Sequence, residues 1–174
     1  MSKRDLRKYL AELDKEQVEA QLVELYEKFP EVKTYYDFVF NPREEKLLRE
    51  AKAKISNEYF PIKTKRAKLR RSTAQKAIKQ FLLLGVEPHS TADLMLHNIE
   101  VAQKYSAKRE MRYSSFYKSM LNSFEQVVSY SIEKGVWAEF RPRLESVMKT
   151  AQIQRWENAP AFAEVFERIS TECD

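Results

Sequence analysis

"KTKRAKLRRSTAQKAIKQFLLLG", residues 63–85, holds two patterns that meet at Ser72. The second half is periodic. Ala74, Ala77, Ile78, Phe81 and Leu82 recur at helical spacing, and Gly85 follows as a C′ residue. The first half is a charge run, in which six of the nine residues from Lys63 to Arg71 are cationic and none is acidic. Placing residues at 100° steps separates the two halves. Lys76 and Lys79 point away from the apolar stripe. Carried backward, the same helix would turn Arg66 and Arg70 toward the core and Leu69 toward solvent. The helix is therefore expected to begin at Ser72 as N-cap, with Gln75 three residues on completing a capping box. Segment 61–71 then reads as a basic linker.

Helical spacing continues in both directions. Leu6, Tyr9, Leu10 and Leu13 form a stripe behind Ser2, a capping residue. Asp14 with Gln17 opens a second helix, whose Val18, Leu22, Leu25 and Phe29 run to a stop at Pro30. A short aromatic segment, "VKTYYDFVF", follows. Asn41, Pro42, Glu44 and Glu45 signal a restart, carried by Leu47, Leu48, Ala51 and Ile55 toward Pro61. Past Gly85, Ser90 with Asp93 opens a helix through Met95, Ile99 and Ala102. Ser114 opens one through Phe116, Met120, Phe124 and Val127 that closes at Gly135. Leu144 to Ala151 and Phe162 to Ile169 supply the last two. The expected fold is all-α, with eight or nine short-to-medium antiparallel helices in one compact bundle or in stacked helical pairs. It is one domain over 1–174, with 61–71 as the candidate linker between a front half, 1–60, and a back half, 72–174.

The opening "SKRDLRKYLAELDKEQVEAQL", followed by "FPEVKTYYDFVFNPREEKLL", resembles the start of a family of small bacterial all-helical proteins of unknown function. The resemblance implies a bacterial, cytosolic, helical protein. It carries over no activity and no functional residue.

Composition excludes several function classes. The chain has only two glycines, so glycine-rich phosphate loops, dinucleotide fingerprints and nucleophile elbows have nothing to be built from. Its one cysteine, Cys173, permits no intrachain disulfide, which suits a reducing compartment. The start "MSKRDLRKYL" lacks the apolar region of a secretory signal, and the longest apolar run, around "FLLLGV", is too short to cross a bilayer. The expectation is a cytoplasmic protein with no membrane partner.

The net charge of +5 is uneven. Between Glu58 and Glu87 there are eight cations and no acid, so the rest of the chain is net acidic. The candidate anion- or nucleic-acid-binding site is accordingly Lys63, Lys65, Arg66, Lys68, Arg70, Arg71, Ser72, Lys76 and Lys79. Arg70 and Arg71 would precede a helix N-terminus, where exposed N–H groups and two guanidinium forks converge on a phosphate. The leading functional expectation is a non-enzymatic binding protein engaging a polyanion, nucleic acid, through 63–79. The alternative is a helical protein–protein adaptor whose cationic segment meets an acidic partner surface or only water. A second segment, "QKYSAKREMRYSSFYK", interleaves Lys104, Lys108, Arg109, Arg112 and Lys118 with Tyr105, Tyr113, Phe116 and Tyr117. That suits stacking on single strands, although an inter-helix loop whose aromatics cap the core is the favoured reading.

No catalytic constellation, cofactor or metal site is expected. Asp93, His97 and Glu100 share one helical face, but the order is His-x-x-Glu and no second copy exists. Helix-surface pairing explains them more simply.

Overall fold

Local capping chemistry starts the first two helices. The computed structural model describes residues 2–63, 66–109 and 111–173, with side chains as far as 169. In α1 (Lys3–Ala11) Ser2 Oγ accepts from the Asp5 N–H, and Asp5 Oδ2 accepts from the Ser2 N–H. In α2 (Lys15–Lys28) Asp14 and Gln17 form the expected reciprocal box at 2.8 and 3.1 Å. Pro30 does more than stop α2. With Phe29 extended before it, it fills the first turn of α3 (Pro30–Phe40), so the aromatic segment is itself a helix. Asn41 consequently closes α3, donating its N–H to the Asp37 carbonyl, instead of opening the next helix. α4 (Glu44–Tyr59) starts three residues later with Glu44 and Glu45 in its first turn.

Five more helices follow: α5 (Arg71–Leu84), α6 (Pro88–Ser106), α7 (Ser114–Glu133), α8 (Trp137–Ile153) and α9 (Ala159–Cys173). Among the described residues there are thus nine helices and no strand, an all-α fold of packed helix pairs. The chain divides into two compact units, 1–43 and 44–174, and segment 61–71 lies inside the second.

In the first unit α2 packs on α3, tied by the Tyr26 hydroxyl donating to Asp37 Oδ1 at 2.8 Å. Gln21 Nε2 donates to the Tyr9 hydroxyl at 2.7 Å, joining α2 to α1. None of these three helices has a buried residue.

In the second unit α6 is the central element, packed against α4, α5, α7 and α8. It is buried almost all round, with Ala92, Leu94, Leu96, Ile99 and Ala102 fully enclosed, as a helix surrounded by others must be. Phe81, Phe124, Phe140 and Phe162 are among the largest fully buried side chains, and Phe162 of α9 packs on Phe124 of α7 and on Trp156. Both glycines end helices at positive φ. Gly85 (φ 67°) follows α5, and Gly135 (φ 70°) follows α7, where the Val136 N–H reaches back to the Ser131 carbonyl at 2.8 Å. The eighth helix begins at Trp137, ahead of the expected stripe at Leu144, and it accommodates Pro142 within it. The sixth begins at Pro88, with Glu87 before it, rather than at Ser90.

Candidate functional site

The loop between α4 and α5 is organised by a carboxylate. Glu58 lies in the last turn of α4 and is only 5% exposed. Its Oε1 accepts from Arg70 Nη2 at 2.7 Å and Arg70 Nε at 3.2 Å. Its Oε2 accepts from the Arg70 backbone N–H at 3.2 Å and from Nε at 3.1 Å. Thr73 Oγ1 donates to Oε1 at 3.1 Å. The Glu58 backbone carbonyl also accepts the N–H groups of Lys68 and Leu69, at 2.9 and 3.1 Å. Meeting all these partners holds Leu69 at φ 53°, a left-handed conformation strained for leucine. The Arg70 hydrogen bonds, helped by the other donors, overcome burial and hold the Glu58 carboxyl below its usual range.

This arrangement corrects the expected helix start. α5 begins at Arg71 with Arg70 as N-cap, the Arg70 side chain makes no capping hydrogen bond of its own, and the Ser72–Gln75 box does not form. Ser72 is an exposed residue of the first turn. The cap is supplied from α4: Glu58 brings a negative charge to the positive end of the α5 dipole and binds Arg70 and Thr73 there. Within the chain, Glu58 is the anion that the Arg70 guanidinium binds. The acid-free gap in the sequence begins immediately after the one acid that matters.

The described candidate residues line different pockets. Lys63, Lys68 and Arg70 line a pocket of about 420 Å³ with Asn57, Glu58, Pro61 and Ile62. Arg71 turns the other way, donating Nη1 to the Ser115 carbonyl at 3.4 Å, and shares with Lys79 a cleft of about 800 Å³ between α5 and α7, floored by α6. Lys76 lies in a third groove, of about 380 Å³, between α4 and α5 beside Lys54 and Glu50. Arg66 is exposed and engaged in an interaction of its own. Lys65 lies outside the described residues.

Most aromatics of the second basic segment turn inward. Tyr105 is buried against Tyr59 and Phe60, with the Arg109 guanidinium over its ring at 5.4 Å. Phe116 and Tyr117 pack on Trp156, and Tyr117 donates its hydroxyl to the Met111 carbonyl at 3.1 Å. Only Tyr113 among these rings is largely exposed. Burial pushes the Tyr59 phenol up to about 12, with the Glu58 charge adding to the effect.

Asp93, His97 and Glu100 meet other helices, not a common centre. Asp93 binds Lys52 of α4 at 2.5 Å and Arg143 of α8 at 2.8 Å, and Glu100 binds Arg143 at 3.0 Å. Burial alone would raise the Asp93 carboxyl, but these two cations outweigh it and hold it low. His97 Nε2 lies 2.9 Å from Ser56 Oγ and 3.3 Å from the Lys52 carbonyl. Burial, then the Lys52 charge, lowers its pKa, so the ring is neutral near pH 7. Nε2 donates to the Lys52 carbonyl in the tautomer that carries its proton there, and accepts from the Ser56 hydroxyl in the other. Among the described residues no three of His, Cys, Asp and Glu are grouped to hold a metal ion. Neither Ser56 nor Arg143 was legible as a partner, since each lies 41 or more residues away from the group it binds.

The family resemblance of the opening segments extends along the chain. DUF6155, a family of unknown function, matches residues 1–170. The chain belongs to the DUF6155 family. No curated protein and no solved structure matches it. In this DUF6155 chain no described helix is long and apolar enough to cross a membrane.

Proposed function

We propose that this DUF6155 protein is a helical protein–protein interaction module whose docking surface is the apolar side of α1–α3. One observation carries this reading. These three helices have no buried residue, yet α1 and α2 keep apolar stripes: Leu6, Tyr9 and Leu10 in α1, and Leu22 and Leu25 in α2 with Phe29 at its C-cap, are 37–48% exposed. An exposed apolar stripe at helical spacing is a surface that a partner can cover. A panel of amphipathic helical peptides titrated against the chain should include binders. Their affinity should change little with salt and be abolished by the double substitution Leu22→Glu, Leu25→Glu. Strong exchange protection of α1–α3 amides in the isolated monomer would sink the reading, because the stripes would already be covered. A bacterial cytoplasm is the proposed setting, supported by the single cysteine.

A second reading keeps the polyanion. It is favoured by Lys63 and Lys68 at the rim of the 420 Å³ pocket, beside a carboxylate already neutralised by Arg70. Nucleic acid held through about four phosphates would show a log–log salt slope of about −3 to −4. Lys63→Gln with Lys68→Gln should flatten that slope. Arg70→Gln is the wrong probe, since it unpairs Glu58 and reports stability. No binding of the unsubstituted protein at low salt would end this reading.

A further inference from the structure

The unpartnered face of α1–α3 fits one occupant on three independent grounds, and we infer that it is a second copy of the same face. The inference rests on reading α1–α3 as a docking surface and names its partner. The first ground is architecture. α2 and α3, joined through the single residue Phe29, pack on each other as a helical pair, and a second such pair would complete a four-helix bundle. A two-fold axis supplies the other half from an identical pair, so a stripe that leaves no residue buried in one copy becomes a core in two.

The second ground is area. Ten large apolar residues of the unit, from Leu6 to Phe40, are 37–81% exposed. Over all faces of the three helices they present on the order of 900 Å² of surface, from which the face toward a second copy is drawn, against about 800 Å² per partner in a stable interface. A unit of 43 residues whose three helices bury no side chain is also close to the size of about 40 residues below which association or cross-linking is usually needed.

The third ground is charge. In α1 the cations Lys3, Arg4, Arg7 and Lys8 face only Asp5, a net +3. In α2 Glu16, Glu19, Glu24 and Glu27 outnumber Lys15 and Lys28, a net −2. A two-fold axis that sets α1 of one copy along α2 of the other places attraction at both edges of the seam, twice per dimer. The unit as a whole is near neutral, so like copies do not repel.

Light scattering during size exclusion of the full chain, over a concentration series, reads this directly. The expected mass rises toward twice 20.7 kDa with concentration. Leu22→Glu with Leu25→Glu should raise the dimer dissociation constant by roughly 100-fold or more, with the helical signal of the second unit unchanged. Where that variant also unfolds α2, charge reversal replaces it. Arg4→Glu with Arg7→Glu should weaken the dimer, and adding Glu16→Lys with Glu27→Lys to the same chain should restore it. A monomer at every concentration overturns the inference. Amide exchange in that monomer then separates the two failures: unprotected α1–α3 leaves the docking reading standing with another partner, whereas protected α1–α3 removes both. A dimer that neither substitution set perturbs overturns it too, because the contact would lie elsewhere.

Discussion

Glu58 and Arg70 form an asymmetric pair. The carboxylate is enclosed while the guanidinium side chain is 58% exposed, so losing one partner is not equivalent to losing the other. Arg70→Gln leaves the Glu58 charge with only the backbone N–H of residue 70 and Thr73 as donors, and should destabilise the protein in thermal or urea unfolding by more than Glu58→Gln does. Glu58→Gln removes the buried charge and leaves the exposed Arg70 head in water, and should cost about 1 kcal/mol. The pH dependence has a definite sign. Glu58 titrates lower in the folded protein than its ordinary 4.5, so its contribution is present above that value and is lost as pH falls through the folded-state pKa. The acid limb of the stability profile should therefore flatten in Glu58→Gln, and an unchanged limb would refute the assignment. None of this was legible at the residue itself. The six cations of 63–71 are obvious in the sequence, but which of them is already neutralised depends on where α4 ends in space.

At the level of the helix, start and stop signals divide into those that act within three residues and those that do not. The Ser2 and Asp14 boxes and the closures at Gly85 and Gly135 are readable because donor, acceptor and backbone strain all lie within one turn. The Ser72 box has the same residue pattern and does not form, because a carboxylate twelve or more residues away reaches the helix end instead. Arg155 completes the set of stops. It adopts φ 53° after α8, with the Trp156 N–H bonded to the Ala151 carbonyl at 3.0 Å, the geometry that glycine adopts at 135. Two substitutions should then mirror each other. Gly135→Ala meets open space, so only the backbone conformation opposes it, at about 1 kcal/mol. Arg155→Gly should gain about 0.5–1 kcal/mol for the same reason reversed. Calorimetric midpoints that move in the same direction for both would contradict this account of the helix ends.

At the scale of the whole chain, the two units hold very different amounts of core. The second encloses Leu94, Leu96, Ile99 and Leu144 completely, whereas the first buries nothing in its three helices. In dilute solution, limited proteolysis should cut within 1–43 first and leave a resistant fragment beginning near Glu44, and α1–α3 amides should exchange orders of magnitude faster than those of α6. Cleavage appearing first in α6 or α7 would count against this division. The all-α class and most helix positions follow from periodicity, capping residues and two glycines, because helical hydrogen bonds close over four residues and their signals lie in neighbouring positions. The division of the basic residues among three separate grooves, the capture of Arg70 by Glu58 and the clamp of Asp93 and Glu100 on Arg143 have no such local signature. They join groups 12 to 50 positions apart, and only the packing of one helix on another determines which charges meet and which apolar stripes stay open.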